Sequence, residues 1–105
     1  MEIEGIKKKL KSYTVESIAL SDHTLIRCFQ RGITKENILD NILKPEKLID
    51  IIEEESKYRG ERKFKLVFDL SRNKSFIVVV SINKKLTVIT AVIRYRKWVR
   101  PIGIR

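Results

Sequence analysis

The chain has 105 residues, one His, one Cys and one Trp, and a formal charge of +10 from 23 Lys and Arg against 13 Asp and Glu. That length builds one hydrophobic core, so a single domain over 1–105 is expected. A lone Cys excludes an internal disulfide, and one His with one Cys excludes a zinc site built from those two residue types.

No apolar run reaches the roughly 18–20 residues that cross a membrane. The N-terminal "KKKLK" precedes no apolar signal core, so the cytoplasm is the expected compartment and no membrane partner is expected. No cofactor or metal is expected either.

Residues 1–17 read as an N-terminal arm. Its "GIKKKLKSY" allows a short amphipathic helix, and "TVESIALS" reads equally as an extended entry or a helix. The next stretch, "SDHTLIRCFQRGIT", is more definite. Ser21 suits an N-cap, because its hydroxyl accepts from the free amides of a first turn. Leu20 and Leu25 hold the positions of a hydrophobic staple. Leu25, Ile26, Cys28 and Phe29 form an apolar arc centred near Phe29 and Leu25. Gly32 closes the helix, since a left-handed cap residue is most easily Gly.

Thr34 caps a second helix whose buried stripe is Ile38, Leu39, Ile42 and Leu43. Pro45 ends it by disfavouring helix at Lys44. The spacing thus predicts helices over about 22–31 and 35–43.

The remainder reads as strands. "KLIDII" is a first strand running into the polar loop "EEESKYRGER". "FKLVFDL" places Phe64, Leu66, Phe68 and Leu70 on one face, as in a half-buried antiparallel strand. "SFIVVVSI" is apolar on both faces, as in a central strand, and "LTVITAVI" nearly so. Short polar connections make the last three a meander. The expected class is α+β, with two short helices on one face of a four-stranded, mainly antiparallel sheet.

Charge is divided along the chain. The acids end at Asp69, and from Leu70 onward there are nine bases and no Asp or Glu. A one-signed segment attracts polyanions through counterion release.

On a helical wheel His23, Arg27 and Arg31, at i, i+4 and i+8, fall with Gln30 opposite the apolar arc. An imidazole titrates near neutrality, and flanking positive charge favours its neutral, basic form. Arg presents a planar fork that matches phosphate oxygens. Such a set suits metal-independent RNA cleavage, with the base taking a 2′-hydroxyl proton and the arginines stabilising phosphate charge. A solvated helix face would show the same residues without purpose.

The second cluster is "IRYRKWVR". Arg94, Arg96 and Lys97 interleave with Tyr95 and Trp98, so aromatic faces can stack on unpaired bases while cations hold the backbone. Tyr95 is also a candidate proton donor. Trp98 reads as cover for apolar surface, and residues 96–105 as a basic tail. Lys84 and Lys85, in "INKKLT", add phosphate contacts but lack the glycines of a phosphate loop. Cys28 reads as core, Thr87 and Thr90 as structural filling, and Glu53, Glu54 and Glu55 as a solvated edge.

The segment "HTLIRCFQRGITKENILDNILKPEKLI", followed by "LVFDL", "IVVVSI" and "VITAVI", resembles the domain of unknown function 4258 family. That family is similar to the BrnT and RelE/ParE toxin-like proteins of the barnase–colicin–RelE ribonuclease fold. The resemblance covers roughly 18–95. It implies a RelE-like arrangement of two helices and an antiparallel sheet, with His23 as general acid/base and Arg27 as a phosphate contact.

The expected function is a metal-independent endoribonuclease, the toxin of a toxin–antitoxin pair. His23, Arg27 and Tyr95 would be its catalytic residues, and Arg31, Arg94, Arg96, Lys97, Lys84 and Lys85 its RNA contacts. An acidic antitoxin and a second copy of the chain are the protein partners considered. The alternative is a non-enzymatic basic module that binds nucleic acid or an acidic protein.

Overall fold

The computed structural model describes residues 3–56 and 59–95. Its elements, in order, are helix α1 (Ile3–Lys11), strand β1 (Ile18–Ala19), helices α2 (Asp22–Gln30) and α3 (Lys35–Leu43), and strands β2 (Leu48–Glu54), β3 (Arg62–Ser71), β4 (Lys74–Ile82) and β5 (Leu86–Tyr95). The sheet order is β1-β5-β4-β3-β2. β2 to β5 pair antiparallel, as expected of a meander, and β1 joins β5 in parallel through Ile18–Leu86 and Ala19–Thr87.

The α+β class holds, but three helices and a five-stranded mixed sheet replace two helices and a four-stranded one. The third helix is α1. It buries only Ile6 and Leu10, four residues apart amid lysines, so its apolar stripe is one residue wide. The fifth strand has two residues, too few to show any alternation.

Local chemistry explains the α2–α3 hairpin. The Ser21 side chain accepts from the Thr24 amide. At the far end the Ile33 amide donates to the Cys28 carbonyl and the Gly32 amide to the Phe29 carbonyl, each at 2.9 Å. These are the paired bonds of a Schellman cap, which needs a left-handed residue between them. Gly32 supplies it with φ of 79°. Thr34 and Asn37 then exchange side-chain and backbone bonds in a capping box that opens α3.

The core joins Ile6, Leu10, Cys28, Ile33, Ile38 and Ile42 from the helical layer to alternate residues of β3, β4 and β5. Phe64, Leu66 and Phe68 are buried as expected, but Leu70 is exposed. The register between β3 and β4 shifts between Asp69 and Ser71, which ends the alternation one residue before Leu70.

The largest departure is the roll of α2. Its buried residues are Thr24 and Cys28, whereas Phe29 is 73% and Ile26 58% exposed. The apolar arc expected inside therefore lies largely outside. The cause is the edge of β5, which beyond its two-residue pairing with β1 carries unpaired carbonyls. Thr24 Oγ1 donates to the Ile89 carbonyl at 3.4 Å, and Arg31 Nη1 donates to the Ala91 carbonyl at 3.1 Å. Small Thr24 and Cys28 let the helix come close enough for both bonds. Burying Phe29 instead would push it away and leave edge carbonyls without partners.

Candidate nucleic-acid interface

With Thr24 and Cys28 facing inward, α2 has two unlike flanks. At about 100° per residue, His23, Arg27, Gln30 and Arg31 fall on one flank, and Leu25, Phe29, Asp22 and Ile26 on the other. The basic flank meets the sheet at Arg31, whose Nη1 also donates to Thr90 Oγ1 at 2.9 Å. One guanidinium thus ties the C-terminal end of α2 to a β5 carbonyl and a β5 side chain. Helix flank and strand form one continuous surface there.

His23 and Arg27 stand one helical turn apart on that surface. Both are exposed, and neither has a hydrogen bond or ion pair with another described residue. Arg94 is exposed three residues beyond Ala91 on β5. Tyr95 follows it, 63% exposed, with Lys74 Nζ 5.3 Å from its ring centroid. Tyr95 lies six residues along β5 from Ile89, roughly 20 Å of strand from the level that Thr24 reaches. Lys84 and Lys85 lie in the β4–β5 turn, at the opposite end of β5 from Arg94. Arg96, Lys97 and Trp98 fall outside the described residues.

Thr24 and Thr90 gain roles that sequence reasoning missed. Its sequence context marks Thr90 as filling, yet its hydroxyl accepts from Arg31 Nη1. A polar Thr at i with a small Cys at i+4 and an Arg at i+7 was the only available sign of a helix laid against a strand edge.

The sheet order keeps the acid-free strands together, although the lysines of α1 pack beside β2. β2, at one outer edge, carries Asp50, Glu53 and Glu54, while β4 and β5 contain no acid. The β2 acids are also partly neutralised by β3. Arg62 makes two bonds of 3.0 and 2.9 Å to the Glu53 carboxylate, and Lys65 Nζ is 3.7 Å from Glu54. The cations of α2 and the β5 end have no such counter-ions among the described residues.

One further polar cluster is structural. Ser56 and Ser81 hydroxyls both donate to the Glu61 carboxylate, which ties the β2–β3 loop to the end of β4. Those two bonds hold its carboxyl below the usual range, with Lys63 adding a smaller pull against partial burial. Glu53 is likewise lowered, first by its bonds to Arg62 and then by the charge of that guanidinium. A depressed carboxyl contributes stability above its unfolded value and loses it as pH falls through the folded one. The urea midpoint should therefore drop as pH falls below about 4.3, and Glu61→Gln should flatten that drop. A midpoint unchanged by acid would remove the assigned role.

Among the described residues no cluster of His, Cys, Asp and Glu could hold a metal ion, and no helix is long and apolar enough to cross a membrane.

Fold and surface together define a small α+β domain whose β4 and β5 carry no acid, while the β2 acids lie among the cations of β3 and α1. By sequence the chain belongs to the domain of unknown function family DUF4258, whose model matches residues 20–94. No curated protein and no solved structure matches it.

Proposed function

We propose that this domain binds single-stranded RNA along the basic flank of α2 and the adjoining edge and end of β5. The observation that carries the reading is a run of exposed cations, Arg27, Arg31 and Arg94, along α2 and a strand that contains no acid. Arg27 and Arg31 lie on α2 against the β5 edge and Arg94 near the end of β5, where it lines a groove that reaches Asp50, while β3 pairs two of the β2 acids, Glu53 and Glu54. Phosphates would meet the guanidiniums, and release of condensed counterions would supply much of the affinity. The resemblance of its family to BrnT and RelE/ParE toxin-like proteins would make RNA the polyanion.

Cleavage is a second reading, favoured by the free imidazole of His23 beside the free guanidinium of Arg27. In it His23 takes the proton of a 2′-hydroxyl, whose oxygen attacks the adjacent phosphorus. The 5′-oxygen leaves with a proton from water, because Tyr95 lies at the far end of β5, and a 2′,3′-cyclic phosphate remains. Arg27 and Arg31 stabilise the charge on the phosphate oxygens. An endoribonuclease of this kind would serve as the toxin of a toxin–antitoxin pair, with an acidic antitoxin neutralising the basic edge.

Binding is tested by the anisotropy of a labelled single-stranded RNA across a salt series. Affinity should fall steeply with salt. Arg27→Ala and Arg94→Ala should each reduce the slope of log K against log salt by about 0.7–1. A slope that neither substitution changes would place the RNA elsewhere.

A further inference from the structure

The other flank of α2 calls for a different partner. Leu25, Ile26, Phe29 and Ile33 line an apolar groove that runs to the start of α3 and ends at Lys35 and Glu36. Phe29 and Ile26 stand mostly in solvent along it. We propose that this groove receives a second copy of the chain, the two α2 helices packing antiparallel about a twofold axis near Ile26.

Three observations select that occupant. First, Ile26 is the midpoint of α2, so an axis there places Phe29 of each copy over the apolar flank of the other. A C2 interface requires this kind of self-complementarity. Second, Asp22 lies on the same flank one turn before Ile26, while Lys35 lies at the opposite end of the groove. The antiparallel arrangement brings Asp22 of each copy to Lys35 of the other, twice. Third, the groove carries charges of both signs, Asp22 and Glu36 beside Lys35, for a net −1 per copy, and the bases of α2 lie on the opposite flank. A second copy can dock here without like charges meeting, whereas a strongly acidic helix would find only Lys35 to pair with.

The pairing leaves the basic flank of each copy facing away from the interface, open to a polyanion. Its dependence on salt is opposite in sign to that of RNA binding. Salt screens the repulsion between two +10 chains, which outweighs its screening of the two exposed Asp22–Lys35 pairs, whereas it weakens phosphate binding. Failure of one reading therefore leaves the other standing.

Sedimentation velocity from micromolar to hundreds of micromolar chain, at low and high salt, decides the matter. A reversible monomer–dimer equilibrium that tightens with salt is expected. Phe29→Glu should give a monomer with an unchanged circular dichroism spectrum. Asp22→Lys and Lys35→Asp should each weaken the dimer by about fivefold, and the double swap should restore it. Repulsion from net charge alone would instead make Lys35→Asp strengthen association, so that result overturns the arrangement. A chain monomeric at every concentration and salt, or a dimer that survives Phe29→Glu, overturns it as well.

Discussion

Phe68→Ala should lower the free energy of unfolding by about 3–5 kcal/mol, whereas Phe29→Gln should leave it within ~0.5 kcal/mol. Both are phenylalanines within apolar patterns of the kind that mark a core, so composition does not separate them. Burial does. Phe68 is fully buried beside Phe76, with ring centroids 6.3 Å apart and planes at 44°. Its truncation leaves a void that the strand register prevents from collapsing. Phe29 contributes little to the monomer, because most of its surface is already in water. Urea unfolding of dilute protein by fluorescence or far-ultraviolet circular dichroism measures both. A loss of more than ~2 kcal/mol in Phe29→Gln would mean that the apolar arc of α2 faces inward and that Thr24 and Arg31 do not seal the strand edge.

The contrast shows which parts of this fold a sequence can display. Caps and turns are legible because their chemistry is local. Ser21, Gly32 and Thr34 each act on amides or carbonyls within a few residues, and all three perform the expected role. The three long strands are legible because β3 alternates with period two in Phe64, Leu66 and Phe68, and because β4 and β5 are short β-branched apolar runs bounded by polar turns. The roll of α2 is not legible. It depends on Ile89 and Ala91, about sixty residues away, whose carbonyls compete with the apolar arc for the inner position. β1 is hidden because two residues have no period, and its parallel partner is remote in sequence. For the candidate site, the wheel correctly groups His23, Arg27 and Arg31 on one flank, since that is a property of the helix alone. It does not show that Arg31 is already bonded to β5, which makes Arg31 partly a structural residue.

That division of labour leads to the prediction with the widest range. If the domain cleaves RNA, His23→Ala should slow formation of the cyclic phosphate by about 10²–10⁴-fold in the presence of a chelator, with RNA affinity and thermal stability unchanged. Arg27 has no other described partner, so Arg27→Ala should weaken RNA binding without loss of stability. Arg31→Ala should do both, because it removes a phosphate ligand and also the donor to the Ala91 carbonyl. Its cost in stability should be about 1 kcal/mol, below the roughly 1.5–3 kcal/mol of a charged hydrogen bond because the side chain is exposed. Arg31→Lys should recover part of the affinity but less of the stability, since the shorter lysine chain does not carry its ammonium to the point where Nη1 meets both Thr90 and Ala91. Cleavage products resolved on a denaturing gel, beside a melting curve for each variant, separate these outcomes. A wild-type chain that binds RNA yet leaves it intact would assign the surface to binding alone. A His23→Ala variant that cleaves at the wild-type rate would remove the imidazole from the chemistry.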